Sequence, residues 1–135
     1  MKTTRLGFLV LLLVGTTTAC AGTAYDVPGP GPTTLMVGWE RHFSIDWTAG
    51  EQGATMRQVT GYVYSQNGEF ATNLRVLAQA VDSTGNVVGQ RVAHVPGGIG
   101  GLGRAYFVVP NLPAADNFRV SVWDYTWLQA PTSRR

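Results

Sequence analysis

Three polar residues with catalytic side chains alternate along one short stretch of the sequence: His42, Ser44 and Asp46. On an extended strand they share one face, and neighbouring members stand about 6.5 to 7 Å apart along the backbone. A catalytic triad instead brings its groups within about 3 Å of one another, usually from separate segments. We therefore interpret the three residues as the solvated face of a strand, and we expect no enzyme activity.

Two further patterns could bind a ligand but lack its other requirements. The segment GIGGLG (98–103) fits G-x-G-x-x-G, but the dinucleotide-binding form opens a helix, and the residues that follow here, RAYFVVP, are typical of a strand. A flexible loop between strands is the better interpretation. Two histidines and Cys20 are too few for a zinc site, and DSTGN (82–86) lacks the spacing of a calcium loop. We therefore expect no cofactor and no metal. The sequence leaves open whether three carboxylates come together in the folded chain: Asp82, Asp116 and Asp124.

The N-terminal residues have the features of an export signal. The basic residues Lys2 and Arg5 precede the apolar run LGFLVLLLVG (6–15). This run is about half the length that a membrane-spanning helix needs, so residues 1–19 are predicted to be a signal peptide. Residues 17–20, TTAC, then resemble the bacterial lipobox.

The lipobox resemblance implies cleavage before Cys20 and a lipid on its sulfur. A second acyl chain on the new amino group would make membrane anchoring stable. Thr17 stands where the lipobox prefers leucine, and two alternatives remain open. One is ordinary cleavage after Ala19 and secretion. The other is a structural cysteine, for which the chain offers no disulfide partner.

The charge balance of the mature chain excludes one class of partner. Of the 135 residues, removal of the first 19 leaves 116, and it takes away two of the ten Lys and Arg residues. Eight arginines then balance eight Asp and Glu residues, without a basic run. Because a nucleic-acid interface needs a basic patch, we expect no nucleic-acid partner.

The mature chain divides into a tether, a domain and a tail. Residues 20–34, CAGTAYDVPGPGPTT, alternate proline with glycine over their second half, which predicts a flexible tether. Residues 129–135 are predicted to be a disordered C-terminal tail. The intervening residues 35–128 are enough for one modest domain.

That domain has a β-strand pattern throughout. In residues 37–47 apolar and polar residues alternate, with Arg41 as the exception, which is typical of a strand with one buried face. Asn67-Gly68 and the loop 82–86 are turn signals between later strands. Because no long apolar period of 3.6 residues occurs, the pattern predicts an all-β sandwich. The further predicted strands cover residues 58–65, 73–81, 87–95, 104–109 and 118–127.

Several segments resemble the small bacterial immunoglobulin-like envelope domains of the FxLYD type. They are VTGYVYSQNG, AVDSTGNVVGQR, the Pro-Gly turn that opens residues 96–103, and FRVSVWDYTW. At the position of the family's F-x-L-Y-D motif, this chain reads AQAVD (78–82). The resemblance implies an immunoglobulin-like antiparallel β-sandwich of about seven strands in an exported module without catalytic residues.

The last predicted strand carries the residues that we select as a candidate binding face. Its apolar positions alternate onto one side, and four residues fall on the other: Arg119, Trp123, Tyr125 and Trp127. An exposed row of this kind suits sugar stacking or a protein interface. The alternative is that the tryptophans are core residues, because bulky aromatics are usually mostly buried. The same two possibilities apply to Tyr62 and Tyr64.

Together these features predict a membrane-anchored envelope lipoprotein with a non-catalytic protein-interaction or structural module. Open sheet edges could accept a strand from another envelope protein. The alternative is a glycan- or peptidoglycan-binding module that uses the aromatic face. Since Ala21 is not the aspartate that retains lipoproteins on the inner membrane, we expect the periplasmic leaflet of the outer membrane in a cell with two membranes.

Overall fold

The computed structural model describes residues 24–26 and 36–128. The predicted signal peptide, Cys20, most of the tether and the C-terminal tail lie outside these residues. Within them the protein is all-β, as predicted, and a single 3₁₀ turn (Trp39–Arg41) precedes the long strands. The strands are β1 (Ala24–Asp26), β2 (Phe43–Gln52), β3 (Met56–Ser65), β4 (Phe70–Val81), β5 (Val87–His94), β6 (Arg104–Pro113) and β7 (Asn117–Leu128).

The strands form two antiparallel sheets that pack as a sandwich. One sheet has the order β1-β5-β4-β7 and the other the order β2-β3-β6. The order β2-β3-β6 is that of strands A, B and E in immunoglobulin-like sandwiches, and the order β5-β4-β7 is that of strands C′, C and F. The ring of Phe43 on β2 contacts Tyr125 on β7, and Arg91 on β5 donates a hydrogen bond to the carbonyl of Asn111 on β6. The predicted antiparallel β-sandwich is therefore confirmed, with β2 beside β7 and β5 beside β6.

A short strand forms within the range predicted as tether. Ala24 pairs with Ala93, and Asp26 pairs with Arg91, so β1 extends the four-stranded sheet beyond β5. Three residues in an extended conformation are enough to use part of the free edge of β5. The alternating prolines and glycines that follow lie outside the described residues.

The core lies between the two sheets and is filled by alternate apolar residues of the six long strands. Burial of each larger side chain contributes about 1.5 to 3 kcal/mol to folding, so this layer is the main source of stability. Its fully buried members include Phe43, Val59, Val63, Leu74, Val76, Ala93, Phe107, Val109, Leu112 and Val122.

The first long strand begins later than the alternation predicts. Gly38 adopts a left-handed conformation with φ 81°, and the chain then forms the 3₁₀ turn before β2 begins at Phe43. Glycine adopts this conformation at little cost, so the turn interrupts the extended chain there. Val37 is consequently 97% exposed, whereas Ile45 and Trp47 pack against the core as predicted.

The loop predicted at residues 82–86 joins β4 to β5, and Asp82 closes it. Its Oδ1 atom accepts hydrogen bonds from the hydroxyl of Thr84 at 2.8 Å and from the backbone N–H groups of Thr84 at 3.0 Å and Asn86 at 2.8 Å. The Thr84 hydroxyl first, and then the Asn86 N–H, lower the pKa of the Asp82 carboxyl below its ordinary value. The carboxylate thus replaces a backbone acceptor inside the turn.

We expect this turn to lose stability in acid. Because the pKa of Asp82 is lower in the folded than in the unfolded chain, its contribution is present above the unfolded value of about 3.8 and is lost as the pH falls through the folded value. An NMR titration of the Asp82 carboxyl carbon measures this pKa. Thr84→Val, which removes the hydroxyl, should raise it, and an unchanged pKa in that variant would contradict the assignment.

The glycine-rich loop, residues 98–103, links strands as predicted and packs closely on β4. Ile99 and Ala71 exchange two backbone hydrogen bonds of 2.9 and 3.0 Å, and the Ile99 side chain is buried in the core. Gly98 has φ 67°, and a Cβ at this position would lie 2.3 Å from the carbonyl oxygen of Ala71. The glycine therefore permits the close approach of two backbone segments.

Candidate functional site

The structure divides the predicted binding face between the two sides of β7. Tyr125 and Trp127 pack against the core, whereas Arg119 and Trp123 are not among the residues that contact it. The cause is a β-bulge, because consecutive residues of β4 pair with residues of β7 that are two apart, which leaves Trp123 as the extra residue. Beyond the bulge the alternation shifts by one position. The four residues therefore do not form one surface.

Tyr125 and Trp127 belong to an aromatic cluster at the end of the sandwich where β2 begins. The ring of Phe43 lies 4.8 Å from that of Tyr125 and 5.6 Å from that of Trp127, onto which it stacks. His42 meets Trp127 edge-on at 5.4 Å, and its Nδ1 atom lies 2.7 Å from Nδ2 of Asn67. Burial in this cluster raises the pKa of Tyr125. The contacts of His42 are thus to rings and an amide, which is a packing arrangement.

Of the three carboxylates that the sequence leaves free to meet, two lie at one cavity and the third lies elsewhere. Asp82 and Asp116 line a cavity of about 500 Å³ at the end of the sandwich that holds the β4–β5 turn. Asp124 instead forms a two-point salt bridge with Arg75, in which Arg75 Nε lies 2.7 Å from Asp124 Oδ1. Nowhere in residues 24–26 and 36–128 do three His, Cys, Asp or Glu side chains gather as a metal ion would need. No helix in the same ranges is long and apolar enough to cross a membrane.

Four strands end the two sheets, and three of them carry a feature that hinders pairing with another strand. β1 has three residues, β6 contains Pro110 and Pro113, and β7 has the bulge at Trp123. β2 has none of these features, since its ten residues include no proline and pair with β3 in an unbroken register. No described strand pairs with the other edge of β2. We call this edge of β2 the open edge.

The core is least covered beside the open edge. Eight half-buried apolar residues of the described chain pack against the core, and six of them lie on β2 and β7. Because both strands end their sheets on the same side of the sandwich, apolar side chains are partly accessible between them. The six residues are Ile45, Trp47, Phe118, Val120, Tyr125 and Trp127. Backbone groups along the open edge and apolar side chains beside it form a candidate interaction site.

A second surface, on the outer face of the three-stranded sheet, was not selected from the sequence. Tyr62 and Tyr106 are paired neighbours on β3 and β6, and they are 36% and 51% exposed. The sequence leaves Tyr62 and Tyr64 undecided between core and surface, and Tyr106 is not among the residues predicted to bind. The available signal was the alternation around Tyr106, whose neighbour Phe107 is buried.

No helix in the described chain covers that second surface, so the tyrosines present their rings at the face of the sheet.

Comparison with known proteins gives no match of any kind: no family model, no curated protein and no solved structure matches the chain. The resemblance to FxLYD-type domains therefore stays a prediction from the segments quoted above.

Proposed function

We propose that this protein is a membrane-anchored envelope lipoprotein whose β-sandwich is a non-catalytic protein-interaction module. The observation that supports this proposal is the open edge of β2 beside a partly accessible core. In this proposal the partner supplies an extended segment that pairs with β2 and extends the three-stranded sheet.

The chemistry of the open edge suits an extended peptide better than a folded surface. In an antiparallel ladder alternate residues direct their N–H and C=O groups to opposite neighbours, so half of the residues of β2 offer these groups to a partner. Strand addition uses such groups for affinity and uses adjacent apolar side chains for selectivity. Ile45 and Trp47 stand on the inner side of β2, where they would contact apolar side chains of the added strand.

The proposed anchor is the lipid on Cys20. Two acyl chains on one residue would hold the sandwich at the membrane surface, in the periplasmic leaflet of the outer membrane if the cell has two membranes. The intact mass of the protein purified from membranes tests this part. A mass that corresponds to an unmodified Cys20 would contradict it.

Site-specific photo-crosslinking in native envelopes tests the open edge. A photoreactive residue at Ala49, which is exposed on β2, should give one discrete adduct with another protein. The control is the same residue at Val88, which is exposed on β5 in the other sheet. We expect no adduct from Val88. If Ala49 gives no adduct, or if both positions give the same adducts, β2 is not the interaction strand.

A glycan-binding module is the second candidate function. The tryptophan-containing face predicted on β7 does not support it, because the bulge separates its members. The specific observation in its favour is the pair of exposed tyrosines on β3 and β6.

A further inference from the structure

The outer face of the three-stranded sheet holds its side chains in three rows that run across β2, β3 and β6. Neighbouring strands in a sheet are about 4.8 Å apart, so the members of one row are adjacent. The rows follow from the register of the two ladders: Ser44, Tyr64 and Arg104; Asp46, Tyr62 and Tyr106; and Thr48, Thr60 and Val108. We call this surface the tyrosine face.

The rings of the tyrosine face are held by one another and by an arginine. The centroid of Tyr62 lies 5.3 Å from that of Tyr106, with the planes inclined at 62°, and 6.3 Å from that of Tyr64. The guanidinium carbon of Arg104 lies 4.8 Å from the centroid of Tyr62, which is a cation–π contact. These three contacts hold the ring of Tyr62 in place. The ring of Tyr106 is the more exposed of the two.

A cavity of about 220 Å³ opens on this face between its second and third rows. Its lining includes the rings of Tyr62 and Tyr106, the side chains of Thr48 and Thr60, and Asp46. Aromatic rings therefore form an apolar wall, and two hydroxyls and a carboxylate lie beside it. The cavity is smaller than the roughly 300 Å³ at which pockets for drug-sized ligands begin. A single small ring with several polar substituents matches this size.

We propose that the tyrosine face binds one pyranose unit of a glycan in this cavity. A pyranose has an apolar C–H side that can lie on the Tyr106 ring and hydroxyls around its rim. Those hydroxyls can donate hydrogen bonds to the Asp46 carboxylate, and they can exchange hydrogen bonds with the hydroxyls of Thr48 and Thr60.

The same arrangement is less suited to the centre of a protein interface. Charged residues are depleted there, whereas Asp46 lies in the middle row of the tyrosine face. Polar groups also flank the rings on both sides, so the surface has no extended apolar centre. The inference adds a ligand class and a site to the second candidate function, and it depends neither on strand pairing at β2 nor on the lipid.

Sugar titrations of the full mature chain in detergent test this inference. The probes are the β-1,4-linked hexasaccharides of glucose and of N-acetylglucosamine, and the readout is isothermal titration calorimetry, which needs no fluorescent group in the cavity. At least one probe should give a saturable change. Tyr106→Ala should weaken binding about two- to tenfold, because it removes the ring on which the sugar would lie. Asp46→Asn should also weaken it, and Tyr106→Phe should retain it.

The matched control is Val88→Ala, an exposed apolar residue on the other sheet that should leave the affinity unchanged. Far-ultraviolet circular dichroism of each variant verifies the fold. A titration in which neither probe gives saturable heat would overturn the proposal. So would an affinity that Tyr106→Ala and Asp46→Asn leave at the wild-type value. Since photo-crosslinking at Ala49 uses no sugar, and Ala49 is not among the residues that line the cavity, failure of this site and failure of the protein-interaction proposal are separate results.

Discussion

Replacing Gly61 by alanine is expected to lower the free energy of unfolding by about 3 kcal/mol. Gly61 lies in β3, between β2 and β6, where it pairs with Trp47 and Phe107. A Cβ at this position would lie 2.0 Å from the carbonyl oxygen of Asp46 and 2.7 Å from the Cα atom of Trp47. Both obstacles are backbone atoms of β2, so no side-chain rotation relieves them. β2 would have to move away from β3, and urea denaturation measures the cost.

The matched control is Gly50→Ala in the neighbouring strand. A Cβ at Gly50 has no atom within 4 Å, so we expect a change within about 0.5 kcal/mol, as for most surface substitutions. Gly61→Ala should in addition weaken the binding of any ligand to the tyrosine face, because Gly61 lines the cavity there. Equal losses of stability in the two variants would mean that β2 and β3 do not approach as closely as the structure shows.

The parts of the fold that sequence predicts are those set by local patterns. Alternation identifies Ile45 and Trp47 as residues that face the core, because strand periodicity fixes which side each residue takes. The turn at residues 82–86 is predicted as well, since Asp82 and its acceptor bonds lie within the turn itself. The pairing of β3 with β6 joins residues that are distant in sequence, and no local pattern encodes it.

The start of β2 shows where alternation misleads. Residues 37–47 alternate except at Arg41, yet Gly38 in a left-handed conformation and the following 3₁₀ turn replace the first part of the strand. The aromatic residue of that turn, Trp39, still packs against the core. Alternation therefore predicts correctly that Trp39 faces the core, but it is wrong about the strand conformation of this residue.

The candidate sites were harder to predict than the fold, for two physical reasons. A single bulge at Trp123 reverses the side that each later residue of β7 takes, and sequence alternation does not reveal a bulge. The tyrosine face needs the register of three strands at once, because Asp46, Tyr62 and Tyr106 become neighbours only when β2, β3 and β6 are aligned. The exposure of Tyr106 could be inferred from local alternation, but its neighbours on the adjacent strands could not.

Trp127→Ala is expected to lower the free energy of unfolding by about 3 kcal/mol, the lower end of the range for large aromatic residues in a core. Trp127 is half-buried, packs against the core and stacks on Phe43, with 5.6 Å between ring centroids. It also contacts Tyr125 at 5.2 Å, so its removal leaves a gap among several rings. Chemical denaturation monitored by far-ultraviolet circular dichroism measures the loss without relying on the fluorescence of the residue that is removed.

Trp123→Ala is the matched control, since it removes the same side chain four positions earlier in the same strand. Trp123 is the bulged residue and is not among those that pack against the core, so we expect a loss of about 1 kcal/mol or less. Strict alternation would place both tryptophans on one side of β7 and would predict similar losses. A loss for Trp123→Ala as large as that for Trp127→Ala would therefore contradict the bulge. A clear difference would show that the bulge moves Trp127 from the surface, where alternation puts it, into the core.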